Sequence, residues 1–292
     1  MKLTIFTPTY NRIYIIENLY KSLSKQTCQD FEWLVVDDGS TDNTGELFLD
    51  WTKEEKFSIR YIKQENGGKH RAINRGVKEA KGELFFIVDS DDYLAEDAIE
   101  KILSCYDKIK DKKEFGGVCG LKCYPDGTRV GGEDDFGMLD CNSLDFRYKY
   151  KVKGDMAEVI RTDVMREFPI PEFQGEKFCP EALFFNRIAQ KYILRYFYEK
   201  IYICDYLPDG LTANITKIRM LSPKSSALFY AELTKYRIPF VQKLKAAINY
   251  WRFSFCDRSN LVVKTKGINW YWVAVMPIGY AIYKRDMKTV KL

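Results

Sequence analysis

The sequence has one histidine, His70, no CxxC pair among its eight cysteines, and no P-loop spacing. A single imidazole excludes a metal centre built on histidines and any double displacement that needs two of them, so a divalent ion here must sit on oxygens. The cysteines (Cys28, Cys105, Cys119, Cys123, Cys141, Cys179, Cys204 and Cys256) are scattered, a poor zinc pattern. With no export signal at the N-terminus they read as reduced thiols of a cytoplasmic protein. Charge of one sign is also missing: 46 Lys and Arg against 41 Asp and Glu leave +5, too small and too mixed for a nucleic-acid partner. What remains is a chain of 292 residues, 46% apolar and 15% aromatic, enough for one large core or a domain with an extension.

Strands alternate with helices along the first third. Residues 3–7, 31–36, 59–63 and 84–88 read as apolar strands, and 15–23, 44–52 and 69–80 as helices. This order predicts an α/β fold with a mostly parallel sheet covered on both faces. Ligands in such sheets lie beyond the carboxyl ends of the strands, where the polar clusters 7–11, 37–40 and 89–92 fall. After about residue 114 the glycines at 116, 117, 120, 127, 131, 132 and 137 suggest loops and short antiparallel strands. Residues 157–161 read as a strand, 162–168 and 181–190 as helices, and 224–255 as helical with a break near Pro239. Two domains are expected, 1–220 with halves meeting near 115, and a mostly helical extension over 221–292.

The most informative stretch is the apolar strand 84–88 running into Asp89-Ser90-Asp91-Asp92. Three carboxylates at the end of a buried strand repel one another and lose solvation unless a cation meets them. Asp89 and Asp91 lie two apart, so on extended backbone they point the same way and can share one ligand. A hard divalent cation completed by substrate phosphate oxygens suits that pair; helix capping accounts for one of the acids but not for three. A second acidic turn, Asp37-Asp38-Gly39-Ser40, follows another apolar strand and offers acceptors to a base or a ribose. Between them, Asn66-Gly67-Gly68-Lys69 feeds a helix carrying Arg71, Asn74 and Arg75; free amides at a helix start beside cations suit a diphosphate.

Taken in order, Thr4 to Arg12, Val35 to Asp42, Asn66-Gly67-Gly68 and Gly82-Glu83 leading into Asp89-Ser90-Asp91-Asp92 resemble the family 2 glycosyltransferases. The resemblance covers residues 1–115 strongly and extends more weakly to about 220. It implies a GT-A fold, an inverting reaction, a nucleotide-diphosphate sugar as donor, with a UDP-sugar as the default, and Mn²⁺ or Mg²⁺ as cofactor. A glycan or lipid-linked hydroxyl of a cell-surface polysaccharide would be the acceptor. The nucleotide-sugar half would be 1–115 and the acceptor half 116–220. By the same resemblance Thr7, Pro8, Tyr10, Arg12, Asp37, Asp38, Gly68, Lys69, Asn74 and Asp89 form the nucleotide site. Pro8 and Tyr10 would line the base pocket, Asp38 would bond the base, and Asp89 would face the ribose or a metal-bound water. Asp91 would be the direct metal ligand, with Asp92 bracing the loop.

An inverting displacement also needs a carboxylate that removes the acceptor proton. In the family this is an acid opening a helix with an arginine six residues later, which in Pro180-Glu181 to Arg187 places Glu181 there, with Glu176 as runner-up. Pro180 stands where the family has a first acid. Residues 206–212 with Lys217 and Arg219 resemble a loop closing over the diphosphate. A nucleotidyltransferase would want a glycine-rich basic loop after the first strand, where Pro8-Thr9-Tyr10 stands instead; an inactive nucleotide-sugar-binding subunit is the other alternative. The aromatic stretch 268–285 is shorter than the ~20 residues a spanning helix needs and is interrupted by Pro277. Followed by basic residues, it suits the inner face of the cell membrane or, equally, packing within an oligomer.

Overall fold

The computed structural model describes residues 1–132, 135–204 and 214–290. In chain order the elements of the first part are β1 (Leu3–Thr9), α1 (Glu17–Ser24), β2 (Phe31–Asp37), α2 (Thr44–Lys53), β3 (Ser58–Lys63), α3 (Lys69–Glu79), β4 (Leu84–Ile87), β5 (Tyr93–Leu94) and α4 (Ala98–Tyr106). There follow β6 (Phe115–Cys123), β7 (Leu139–Cys141), α5 (Ser143–Tyr148), β8 (Met156–Arg161), α6 (Thr162–Glu167), α7 (Ala182–Ile188) and β9 (Ile193–Ile203). The remaining helices are α8 (Ile215–Leu221), α9 (Pro223–Leu233), α10 (Phe240–Ser254), α11 (Leu261–Lys266) and α12 (Met276–Thr289), with a 3₁₀ turn at Trp270–Val275.

The chain forms two compact units, residues 1–169 with 187–205, and residues 170–186 with 206–292. The boundary expected at 220 therefore falls inside the second unit, which also takes up the segment 170–186.

In the first unit the described strands make one nine-stranded sheet of order β3-β2-β1-β4-β8-β6-β9-β5, with β7 on β9. The expected parallel arrangement holds for β3, β2, β1 and β4. Beyond β4 the sheet is mixed, because β8 runs antiparallel to both β4 and β6 while β6 and β9 are parallel. The glycine-rich segment expected as loops and short strands contains the nine-residue β6. Its hydrogen bonds to β8 and β9 on either side outweigh the weak intrinsic preference of Gly116, Gly117 and Gly120 for a strand. All seven residues of β1 and of β2 are buried. This is what a strand covered on both faces requires and why their sequences lack alternation. One face packs Ile5, Trp33, Val35 and Phe86 with α1, α2 and α4 residues such as Leu19, Phe48 and Ile102. On that face Trp33 contacts Phe48 and Trp51, with Tyr20 stacked on Trp51.

The second unit's described core centres on Trp251, Phe253 and Ala247 of α10. Trp251 donates its indole N–H to the Trp272 carbonyl at 2.9 Å. Gly279 lets α12 lie against α10, since a Cβ there would fall 2.4 Å from that of Trp251. Arg252 forms an ion pair with the buried Asp286.

Candidate active site

The carboxyl ends of β1, β2 and β4 bring the polar clusters to one rim of the first unit. The β1–β2 ladder aligns Thr9 with Asp37 and continues with the Asp38 amide donating to the Thr9 carbonyl at 2.8 Å. After β1, Asn11 adopts a left-handed conformation (φ 52°), accepted more readily by asparagine than by most residues. Its amide donates to Ser40 Oγ (2.9 Å) and its side chain accepts from the Thr41 amide (2.8 Å), joining the first two turns. Pro8 is buried, whereas the Tyr10 ring is 48% exposed. Thr7 is turned into the core, where its hydroxyl accepts from the Trp33 indole at 2.9 Å. Expected among the nucleotide-binding residues, it serves instead to fix β1 on β2, because its side chain lies on the strand's inner face.

Asp37 and Asp38 are both engaged from within the protein. Asp37 accepts from the Ser40 amide at 2.7 Å and from the Tyr61 hydroxyl. Asp38 Oδ1 accepts from the Gly67 amide (2.9 Å) and Gln64 (2.8 Å), and Oδ2 from the Gly68 amide (2.7 Å) and Asn66 (3.3 Å). The carboxylate expected to meet the nucleobase is thus the clamp on the 66–68 loop, all four of its acceptor positions occupied. Gly68 (φ 97°) needs the backbone freedom of glycine to turn both amides inward before α3 begins. Lys69 then reaches back to Asp89, Nζ to Oδ1 2.6 Å. Asn74 and Arg12 are half-buried.

The acidic turn is a graded set. Burial works against ionisation of Asp89, but the charges of Lys69, Lys122 and Arg12 hold its carboxyl below the usual range. Burial and the charge of Asp89 push Asp91 up, and they push Asp92 up to about 7. Tyr202, from β9, ties the turn to the sheet: its hydroxyl accepts from the Asp89 amide (3.0 Å) and donates to Asp92 Oδ2 (2.6 Å). Asp92 therefore braces the loop, as the sequence suggested. Lys122 of β6 lies over the Tyr202 ring, 3.9 Å from its centroid. Neither Lys122 nor Tyr202 was found by sequence reasoning, since both sit on strands without a local motif.

Asp91 has its ionised form destabilised and no ion pair among the described residues. Hard carboxylate oxygens in that condition fit Mg²⁺ or Mn²⁺. Among the described residues no three acidic, cysteine or histidine side chains converge as a cation cage. An ion held by Asp91 needs oxygens from elsewhere, which is the donor set of a metal completed by a diphosphate.

A further carboxylate at the same rim, also missed, is Glu158 of β8. It pairs across the ladder with Cys119, is half-buried, and is pushed up to about 7 by burial, against the opposing charges of Lys122 and Arg147 and with a small addition from Asp155. A carboxyl raised in the folded state favours folding below its unfolded value and loses that contribution as pH rises through the folded value. Stability is expected to fall from about pH 4.5 to about pH 7 by up to ~3 kcal/mol through this group. Urea titrations of Glu158→Gln over that range should show the fall reduced; an unchanged profile refutes the assignment.

In the second unit Glu181 stands half-buried at the start of α7, its carbonyl accepting from the Phe184 amide at 3.1 Å. Glu176 is buried and accepts from the Lys224 amide (2.7 Å), the Ser225 amide (2.9 Å) and Ser225 Oγ (2.6 Å). It satisfies the first turn of α9, where Ser222 provides no side-chain cap. Three of the four acceptor positions of this carboxylate are thereby engaged within the protein. Glu176→Ala is expected to destabilise the protein by about 2–4 kcal/mol, read as a lowered urea midpoint. The loop expected over the diphosphate, 206–212, lies outside the described residues. Arg219, grouped with it in the sequence, packs on the rings of Phe229 and Tyr230.

Comparison with known proteins adds the following. Residues 4–117 match the profile described as Glycosyl transferase family 2. Glycosyltransferase GlyG of Streptococcus pneumoniae serotype 4 is 39% identical over 111 residues, covering 38% of this chain and 36% of GlyG. The poly(ribitol-phosphate) β-N-acetylglucosaminyltransferase TarS of Staphylococcus aureus is 33% identical over 110 residues, 37% of this chain and 19% of TarS. The matched stretch thus spans about a third or less of these relatives. TarS 1–349 in complex with UDP-GlcNAc superposes with a TM-score of 0.62 at 18% identity, covering 99% of this chain and 92% of that one. The mannosyltransferase PcManGT of Pyrobaculum calidifontis, in complex with GDP-Man and Mn²⁺, gives 0.56 at 17% identity, covering 100% and 76%. Both likenesses establish the fold.

Proposed function

From the match of residues 4–117 to glycosyl transferase family 2, we propose that this chain is an inverting, metal-dependent glycosyltransferase of bacterial cell-surface polysaccharide synthesis. It moves a hexosyl group from a UDP-sugar to a hydroxyl of a glycan or lipid-linked acceptor. The observation that carries the reading is the acidic turn Asp89–Asp92 set at the sheet rim beside the Gly67–Lys69 loop and tied to it by the Lys69–Asp89 ion pair. Complexes of TarS with UDP-GlcNAc and of PcManGT with GDP-Man and Mn²⁺ support the donor class and the metal.

In this reading Tyr10 stacks on the base next to Pro8, and Asp38 holds the 66–68 loop in shape. It reaches the base by exchanging its longest bond, the one from Asn66. Lys69 and the start of α3 face the diphosphate, with Arg12 and Asn74 completing the nucleotide site. Asp91 holds the divalent ion and Asp89 contacts it through water or meets the ribose. When bound, the ion supplies positive charge against the departing diphosphate. Glu181 removes the acceptor proton as the hydroxyl attacks the anomeric carbon from the side opposite the leaving group.

The test is a thermal-shift series with UDP, UDP-GlcNAc and GDP-mannose, with and without Mn²⁺. A ligand that binds the native state at ~100 times its Kd adds about 2.7 kcal/mol and raises the midpoint by several degrees. The rise should require both a uridine nucleotide and the metal, and should shrink at pH 5.5, where Asp92 binds a proton. No shift with any nucleotide, or the same shift without metal, refutes the proposal.

A further inference from the structure

The second unit carries an apolar surface that its own described core does not use. Trp270 is 83% exposed and Phe240 68%. Their rings are linked along the surface through Trp272 and Tyr271: Phe240 to Trp272 is 5.9 Å, Trp272 to Tyr271 5.3 Å and Tyr271 to Trp270 5.9 Å between centroids. Beside this row α11 turns Val262 and Val263 outward, and α12 exposes Ile278. Only part of the stretch expected to face a membrane is exposed, because Ile268, Trp272 and Gly279 are buried. Phe240 and α11, outside that stretch, extend the surface.

The charge around it is of one sign. Residues 237–290 contain ten Lys or Arg and two acids, Asp257 and Asp286, a net of +8. Asp286 is buried against Arg252, and Asp257 accepts from the Ser259 amide at 3.1 Å. Arg285 also pairs with Asp286, at 3.5 Å, whereas the exposed cations Lys245, Lys266, Lys284 and Lys288 have little acidic counterpart along this segment. Lys245 follows Val241 by one helical turn, and Lys284 follows Tyr280 by one, its ammonium 5.5 Å from the ring centroid.

We propose that this surface docks on an anionic phospholipid bilayer, with Trp270, Phe240 and the α11 valines entering the headgroup region and the lysines meeting lipid phosphates. Aromatic and aliphatic side chains flanked by basic ones are the composition that the interface selects. A second copy of this chain fits less well, since two such surfaces would place like charges face to face. Nucleic acid fits less well because consecutive aliphatic side chains offer bases neither stacking nor hydrogen bonds. No helix among the described residues is long and apolar enough to cross a membrane.

The tryptophans provide an internal reporter, because Trp33, Trp51, Trp251 and Trp272 are buried and Trp270 is the exposed one. The full chain is titrated with vesicles of phosphatidylcholine alone and of phosphatidylcholine with about a third phosphatidylglycerol. Binding is read by emission shift and by co-sedimentation at low and high salt. The expected result is a blue shift and sedimentation with the anionic vesicles, weakened by salt. Partitioning should fall ~10-fold or more in Trp270→Ser/Val262→Ser, and the preference for anionic lipid should disappear in Lys245→Glu/Lys266→Glu. All four positions are exposed, so the melting temperature is expected to hold and provides the folding control. The proposal is overturned by absence of vesicle binding, or by binding that these variants leave unchanged. It is equally overturned by a self-association that Trp270→Ser abolishes without any lipid binding, or by binding to DNA in preference to anionic vesicles. Lipid binding is read without donor or acceptor, so its failure leaves the glycosyltransferase reading standing, and the reverse.

Discussion

Replacing Asp91 by Asn is expected to lower sugar transfer by ~10³-fold or more while leaving the protein folded and slightly more stable. The two halves of this expectation come from the same physics. Asp91 is a partly desolvated carboxylate beside the ionised Asp89, so its charge costs the empty protein free energy. Asparagine keeps the shape and removes the charge, and the urea midpoint should rise by the equivalent of about 1 kcal/mol. The same charge is what a divalent ion needs, so the Mn²⁺-dependent part of nucleotide binding should vanish. Nucleotide release coupled to an acceptor gives the activity, and circular dichroism with urea titration gives the fold. A variant that is more stable yet fully active would remove Asp91 from the metal. One that is inactive and unfolded would show that the carboxylate has a structural task that the structure does not assign to it.

How much of this could be read without coordinates divides along local and non-local lines. The buried strands β1, β2 and β4 and the polar turns that follow them are written in consecutive residues, and both were found where the structure has them. β6 was not, because Gly116, Gly117 and Gly120 carry no strand preference; the strand exists through its partners β8 and β9. β9 was missed because its alternation is broken by Arg195, Glu199 and Lys200, and in consequence the bond from Tyr202 to Asp92, 110 residues away, was unreadable. Asp38 illustrates a subtler gap. Its position at the rim was legible, but whether its oxygens face a ligand or the 66–68 loop depends on amides contributed by a separate segment. Glu158 and Lys122, which face one another's charge at the ends of two antiparallel strands, belong to the same class.

The choice between Glu176 and Glu181 shows what coordinates add to chemistry. Sequence offered two glutamates five residues apart. The structure places one of them, Glu176, under two backbone amides and a hydroxyl of α9. The two substitutions should therefore separate cleanly. Glu181→Gln keeps the size and polarity of the side chain but removes the basic oxygen. It is expected to lower kcat by ~10²–10⁴-fold with the KM for donor within about a factor of three, since proton removal belongs to the transition state and donor binding does not. Glu176→Gln keeps one acceptor oxygen for the α9 amides, so it should lower the melting temperature and leave kcat of the folded enzyme near that of the parent. Measuring both constants and both melting curves tests the assignment in two directions. If Glu181→Gln turns over normally, the base lies elsewhere. If Glu176→Gln loses turnover without losing stability, the hydrogen bonds to α9 are not its purpose, and the proton acceptor is Glu176 after all.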